Sequence, residues 1–186
     1  MKITFKDIPQ LKPDDTEMIF VKVEAGGGCD EFWMSETPVT EAQWASVMGE
    51  PASSSQRPKL NVSFDEASEF CSKMGNGYRL PTDSEFCWAL GKEPKDMEKY
   101  AVFGQDGDCP LVKTKFPNEW GLYDMRGLCW EWIESGQEYK LLRGGSWIGD
   151  QLFAGAVFRS NFLAAGRLND IGFRVVLCAS PFPSND

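Results

Sequence analysis

Four short segments that combine aromatic residues with Gly, Pro or Arg limit what this chain can fold into. They cover residues 78–82, 120–125, 130–132 and 143–147, and a related stretch follows at 171–176. Gly and Pro at this density end strands and form tight turns, and Trp or Tyr in such turns packs a core while bonding a backbone group. We expect the arginines of these segments, Arg79, Arg143 and Arg174, to brace loop carbonyls or carboxylates rather than to contact a substrate. The second half of the chain is therefore predicted to consist of short strands in long loops.

Helix signals are confined to the first half. The predicted helices cover residues 41–48, 64–74 and 83–90. Thr40 caps the first, and capping boxes open the other two, with Ser63 and Glu66 in one and Thr82 and Glu85 in the other. The second helix has one apolar face, formed by Phe64, Ala67, Phe70 and Cys71. Strands are predicted at 18–24, 32–34, 129–133, 139–143 and 173–177.

The remaining stretches carry no helix signal. Residues 1–16 are predicted to be an arm or lead-in strand, 91–120 a loop, and 180–184 the end of regular structure. A chain of 186 residues with 42% hydrophobic residues is long enough for one core. We therefore predict a single domain over 1–186, of the α+β class, with a small antiparallel sheet, two main helices and long loops.

The absence of histidine excludes several kinds of chemistry. The chain has no His, so it cannot use Ser-His-Asp or Cys-His nucleophiles or His-ligated zinc or iron. Its six cysteines contain no CxxC pair, which argues against a zinc ribbon or a thioredoxin-type site. We expect mostly reduced, buried thiols that act as small apolar side chains.

Charge and hydropathy limit the partners. The net charge of −9 argues against a nucleic-acid partner, because such proteins usually present a basic face. No apolar run is long enough to span a bilayer, so no membrane insertion is expected. The N-terminal residues lack the apolar stretch of a signal peptide. The default expectation is therefore a cytoplasmic protein, with display on a cell surface or virion left open, and the sequence leaves the oligomeric state open.

A series of motifs resembles one family in order and spacing. The matching residues are 38–40, 61–63, 78–85, 118–125, 131–132, 143–147 and 172–174. Together they resemble the formylglycine-generating-enzyme (sulfatase-modifying factor) branch of the C-type lectin fold, from about residue 17 to 177. The resemblance implies a C-type-lectin-like fold of the formylglycine-generating-enzyme subtype. It implies much less about function, because one fold hosts many functions.

The active branches of this family need residues that the chain lacks. Formylglycine-generating enzymes carry a copper-binding cysteine pair shortly after the position of Trp147, and residues 148–156 contain no Cys. Sulfoxide-synthase relatives need a histidine cluster. A calcium-binding Asn of the family is replaced by Leu128, which cannot coordinate a hard cation, and the Glu-Pro-Asn, Gln-Pro-Asp and Trp-Asn-Asp motifs of sugar-binding lectins are absent. The sequence therefore predicts no catalytic residue, no metal and no cofactor. The alternatives are a copper-type oxidase, a calcium-dependent lectin and a structural accessory domain.

Residues 148–170, called here the 148–170 segment, are similar to the variable region of diversity-generating retroelement target proteins. In that family an error-prone reverse transcriptase changes adenines, largely in AAC codons, and the resulting codons cannot encode Lys, Glu, Gln, Met or Trp. Outside the segment these five types make up 46 of 163 residues, whereas the 23-residue segment contains only Gln151. The depletion is what the resemblance implies for a diversified stretch.

Large apolar residues in the 148–170 segment fit neither the strand nor the helix period. The simpler explanation is a buried core loop, as an accessory domain would need. The functional explanation is an exposed patch with aromatic anchors among small polar residues, as in paratope loops. We predict a variable ligand-binding surface for a protein ligand, formed by Ile148, Gly149, Asp150, Leu152, Phe153, Gly155, Phe158, Ser160, Asn161, Phe162, Leu163, Gly166, Leu168 and Asn169. The positions expected to be scaffold are Ala154, Ala156, Val157, Arg159 and Arg167.

Overall fold

All three predicted helices are present. The computed structural model describes residues 2–4, 18–136, 139–156 and 158–178. Its helices are α1 (Glu41–Met48), α2 (Phe64–Met74) and α3 (Asp83–Leu90). Each begins with a complete capping box, headed by Thr40, Ser63 and Thr82 respectively. The predicted apolar face of α2 is buried. Local hydrogen bonding at the N-terminus therefore fixes where each helix starts.

The strands within the described ranges form three small sheets. The first has five antiparallel strands in the order β1-β2-β3-β11-β4, which are Lys2–Thr4, Ile19–Val23, Phe32–Ser35, Val176–Leu177 and Tyr78–Arg79. The second has four strands in the order β10-β7-β8-β9, which are Ile171–Gly172, Trp130–Ile133, Tyr139–Arg143 and Ser160–Leu163. A third pairs β5 (Ala101–Val102) with β6 (Arg126–Gly127).

The expectation of one antiparallel sheet is corrected on two counts. The described residues form three sheets, and the pairs β10–β7 and β5–β6 are parallel. The predicted strand 173–177 is also interrupted. Residues 171–172 pair with β7 and residues 176–177 with β3 and β4, so the stretch between them passes from one sheet to the other. There the carbonyl of Phe173 accepts from Val39, which lies outside the strands, and the carbonyl of Val175 accepts from Ser35 at the end of β3.

The long loop and the N-terminal strand agree with the sequence-based expectations. The loop over 91–120 contains only the short 3₁₀ turn Met97–Lys99 and the strand β5. The lead-in strand is present as β1, whereas residues 5–16 and 180–184 lie outside the described residues.

None of the six cysteines is in a disulfide; three are buried, two are half-buried, and Cys178 is exposed. The expected burial of the thiols therefore holds for half of them. Within the described ranges, no helix combines the length and apolar character needed to cross a bilayer.

An aromatic core packs α1 and α2 against the sheets. The rings of Trp44 and Phe70 stack with their centroids 5.6 Å apart. The ring of Phe173 packs edge-on against Phe70, with a centroid separation of 5.2 Å. Beside this core lies a buried ion pair in which Arg174 donates to both carboxylate oxygens of Glu131, at 2.6 and 2.8 Å. The pair joins the sheet-crossing stretch to β7, whose Trp130 donates its backbone N–H to the carbonyl of Asp170 at the end of the 148–170 segment. The predicted bracing role of Arg174 is therefore confirmed.

Candidate ligand-binding site

The 148–170 segment runs over the surface between β8 and β10. It contains the 3₁₀ turn Gln151–Ala154, then β9, then a turn in which Gly166 donates to the carbonyl of Leu163. Strand β9 forms the outer edge of the four-stranded sheet and pairs with β8 from Leu142↔Ser160 to Tyr139↔Leu163. Sequence analysis missed this strand, because its side chains follow no clear alternation of apolar and polar residues.

None of the fourteen predicted ligand-contacting residues is buried. Those classed as exposed are Ile148, Asp150, Leu152, Phe153, Asn161, Leu163, Leu168 and Asn169. The half-buried ones are Gly149, Gly155, Phe158, Ser160, Phe162 and Gly166. Leu152 is 67% exposed and Phe153 40%, so the segment is not the buried core loop of the alternative explanation. Whether these residues contact a ligand stays a prediction.

The three phenylalanines differ in their surroundings. The ring centroid of Phe153 lies 5.2 Å from that of Phe158, in an edge-to-face arrangement. It lies 6.2 Å from the ring centroid of the half-buried Trp130. These three rings form a partly exposed aromatic cluster. Phe162 instead packs 6.2 Å from the fully buried Trp132 and lies against the main core. The structure therefore brings two of the predicted anchors together and sets the third apart, partly in the core.

Two buried arginines hold the backbone of the segment. Arg143 donates from Nη1 to the carbonyls of Ala156 and Phe158, at 2.8 and 2.9 Å, and from Nε to Asp83 at 2.7 Å. Arg126 donates to the carbonyl of Ala154 at 3.0 Å. The bracing role predicted for Arg143 is confirmed, and Arg79 does the same elsewhere, donating to Glu85 and to the carbonyl of Leu80. No sequence pattern indicates the contact of Arg126 with the segment.

Two surface ion pairs also attach the 148–170 segment to the helices. Both of their arginines are residues expected to be scaffold. Arg159 donates to Asp83 at 2.8 Å, and Arg167 donates to Glu66 at 2.9 Å. The Arg167 guanidinium is the main reason why the pKa of Glu66 falls to about 2, aided by bonds from Ser63. Because the folded pKa is lowered, this stabilisation is present at neutral pH and is lost as the pH falls from about 4.5 toward 2. Both partners are more than a third exposed, so solvent screening keeps the contribution small.

The other expected scaffold residues divide three ways. Ala154 is buried, whereas Ala156 is exposed and its carbonyl accepts from Arg143. Val157 lies outside the described residues. Asp83 was missed as a functional support, although its place in the first turn of α3 could have indicated a partner for arginine. It accepts from both Arg143 and Arg159, so one carboxylate holds two points of the segment.

The positions that matter in active relatives have other roles in this chain. Leu128, at the position of the calcium-binding Asn, is fully buried and packs with Val102, Cys109 and Trp147. Burial raises the pKa of the Cys109 thiol to about 12, so at neutral pH this thiol is an uncharged member of the cluster. In the described part of the chain, no group of three or more His, Cys, Asp or Glu side chains is arranged to hold a metal ion.

Comparisons with known proteins agree with this architecture. A family model described as the sulfatase-modifying factor enzyme 1-like domain matches residues 24–179. The protein named inactive C-alpha-formylglycine-generating enzyme 2 from Mus musculus is 30% identical over 143 residues, which cover 60% of this chain and 45% of that protein. The chain thus spans about half the length of the first curated relatives it matches.

Two solved structures share the fold. Treponema denticola variable protein 1 aligns with a TM-score of 0.81 at 21% identity, covering 96% of this chain and 99% of that chain. The Major Tropism Determinant U1 variant aligns with a TM-score of 0.57 at 17% identity, covering 79% of this chain and 50% of that chain. The predicted α+β, C-type-lectin-like fold of the formylglycine-generating-enzyme subtype is confirmed. With the family model matching most of its length, the chain belongs to the sulfatase-modifying factor enzyme 1-like domain family.

Proposed function

We propose that this chain is a non-enzymatic ligand-binding protein whose 148–170 segment is the binding surface and is diversified by a retroelement. The observation that carries the proposal is a segment with no buried predicted contact residue, held on a backbone that buried arginines fix. Such an arrangement allows side chains to change while the main chain stays in place. The similarity to a structure named a variable protein, over 96% of this chain, supports the same function.

The mechanism follows from the two kinds of side chain on this surface. Exposed apolar groups, led by Leu152 and Phe153, would bury area against a protein ligand at ~25 cal/mol per Å². Asp150, Asn161 and Asn169 are exposed and would discriminate between ligands through hydrogen bonds. Because the backbone is already braced, little conformational entropy is lost on binding.

The absence of enzymatic activity is part of the same proposal. Active formylglycine-generating enzymes need a cysteine pair after the position of Trp147, and this chain has none at 148–156. Its nearest upstream thiol in sequence, Cys129, is fully buried, and burial raises its pKa well above the usual range. We therefore expect neither copper nor oxidase activity in the purified protein.

Sequencing of the locus tests diversification directly. We expect a near-copy of the stretch encoding 143–176 close to a reverse transcriptase gene, differing from the coding copy mainly at adenines. Comparison of several isolates should place the amino-acid differences at the fourteen predicted positions. An invariant segment without a template copy would contradict diversification, while a ligand-binding role could still be measured on the protein.

Stability measurements test whether the segment is free to vary. Replacing Leu152 with Ser should change the free energy of unfolding by less than about 1 kcal/mol, because surface substitutions away from specific contacts have small effects. The matched control is Leu122→Ser, at a position 1% exposed against 67% for Leu152, where we expect a loss of about 3 kcal/mol or more. Urea titrations of both variants give the comparison. Equal losses would mean that Leu152 is core and that the segment cannot be diversified freely.

A further inference from the structure

The outer edge of the four-stranded sheet is a main-chain surface to which the proposed function assigns no role. Strand β9 (Ser160–Leu163) ends the strand order and is paired on one side by β8. In an antiparallel pair, every second residue of an edge strand directs both its N–H and its C=O away from its partner. Within the described ranges, no hydrogen bond outside this pairing reaches the backbone of Ser160, Asn161 or Phe162. The edge therefore presents main-chain donors and acceptors that another extended chain could pair with.

Helices α2 and α3 hold β9 at its two ends. The N–H of Phe64, the first residue of α2, donates to the carbonyl of Ala164 at 3.0 Å, directly after β9. Asp83, the first residue of α3, accepts from Arg159 at 2.8 Å, directly before β9. These contacts fix the strand at both ends and leave the main chain between them without a partner on its outer side in the described part of the molecule.

The sequence of β9 has few of the features by which edge strands avoid pairing with other chains. Such strands often carry Lys, Pro or a bulge, whereas β9 reads Ser-Asn-Phe-Leu. Its register with β8 is continuous over all four residues, so no bulge turns the edge away. Its short length is the one protective feature that it has. A regular, uncharged edge of this kind is a template for a short stretch of another extended chain.

An exposed and largely apolar row of side chains continues from β8 onto β9. Tyr139 and Leu163 lie directly opposite each other, and each is 54% exposed. Residues in this position project from the same face of a sheet and contact each other. A strand added beside β9 would extend the row with one more side chain. Tyr139 lies outside the 148–170 segment, so this part of the row stays the same when the segment changes.

We propose that β9 binds the protein ligand by strand addition, in which an extended segment of the ligand pairs with the outer edge of β9 and places an apolar side chain beside Leu163. This inference rests on the proposed function, because it specifies how the 148–170 segment holds its ligand. In strand addition, main-chain hydrogen bonds give affinity and side chains give specificity. Every residue except proline carries the same main-chain donor and acceptor. Diversification can therefore change the specificity of β9 and keep its pairing.

A second copy of this chain fits the edge less well than a separate ligand does. Two copies of β9 paired about a twofold axis would bring the same patch of both chains together. A change at Asn161 or Leu163 would then alter both halves of the interface at once, so diversification would disturb the assembly. A separate ligand strand meets each changed residue only once. We therefore assign the edge to the ligand.

Phage-displayed linear peptides of random sequence, selected on the full chain, supply the probe. In a selected peptide, one backbone nitrogen at a time is methylated, which removes an N–H and keeps the side chain. We expect saturable binding that weakens at least about fivefold at every second position of the paired stretch and changes little between them. In the complex, the outward-facing amide of β9 should exchange with deuterium more slowly, as followed by NMR.

Proline variants of β9 test the same contact from the side of the protein. Of Ser160→Pro and Asn161→Pro, one removes an N–H that bonds β8, and the other removes an N–H that points outward, where proline is tolerated. The outward variant should keep the fold and weaken peptide binding at least about fivefold. The alanine variant at the same position keeps the N–H, is the matched control, and should weaken binding less.

Strand addition and the proposed function can fail separately. Uniform losses along the methylated peptide, or no saturable binder from the selection, would overturn strand addition and leave binding of folded ligands by other parts of the segment in place. Binding that Leu152→Ser weakens and the outward proline variant does not would have the same meaning. Binding that no substitution in the 148–170 segment changes would contradict both. Dimerisation of the chain that the outward proline variant abolishes would make a second copy the occupant and overturn strand addition.

Discussion

Replacing Arg174 with Met is expected to lower the free energy of unfolding by about 3–5 kcal/mol, because it leaves the carboxylate of Glu131 buried without its cation. Both side chains are fully buried, and two hydrogen bonds join them. Burial alone raises the pKa of Glu131, and the guanidinium acts in the opposite direction. The variant also loses the bonds from Arg174 to the carbonyls of Ser35 and Tyr123, at 3.3 and 3.1 Å.

The matched control removes both charges. In the double variant Arg174→Met with Glu131→Leu, the buried carboxylate is gone, so we expect most of the lost stability to return. Urea denaturation of the parent, the two single variants and the double variant gives the coupling between the residues. A loss below about 1 kcal/mol in the Arg174 variant would show that water reaches Glu131, contrary to the burial described above.

Replacing Gly127 with Ala is expected to lower the free energy of unfolding by at least about 3 kcal/mol, for two reasons that add. Gly127 has a φ of 72°, in the left-handed region that disfavours a side chain. A Cβ there would overlap the carbonyl of Val102, which is backbone and cannot rotate away. That carbonyl accepts from the backbone of Leu128, so its displacement would disturb the pairing of β5 with β6.

The variant Gly104→Ala separates the effect of the backbone conformation from the effect of the steric overlap. Gly104 has a comparable φ of 59°, but a Cβ at that position meets nothing within 4 Å. The Gly104 variant should therefore lose about 1–2 kcal/mol of the free energy of unfolding, from the backbone conformation alone. Thermal and urea unfolding of the two variants, made in parallel, measure the difference. Equal losses would mean that β5 moves aside at little cost and that the close approach at Gly127 is unimportant.

The position of the candidate site could be predicted from the sequence, whereas its long-range contacts could not. The edges of the 148–170 segment came from the flanking motifs, and the structure leaves all fourteen predicted contact residues exposed or half-buried, whereas Ala154 and Asp170 are buried. The sequence did not separate Phe162, which packs on Trp132, from Phe153, which is exposed. It also missed Asp83 as the shared partner of Arg143 and Arg159. The two contacts of Asp83 join residues 60 and 76 positions apart in the chain, and Phe162 also meets a residue far outside its own strand.

Elements whose signals are local could be predicted from the amino-acid sequence. The three helices begin where Thr40, Ser63 and Thr82 cap them, because a capping box is complete within four residues. The parallel pairing of β10 with β7, the break at 173–175 and the edge strand β9 arise from tertiary contacts. Strand pairing and the burial of Arg174 against Glu131 depend on partners that are distant in the chain. Only the folded backbone brings such partners together, and no period in the sequence encodes them.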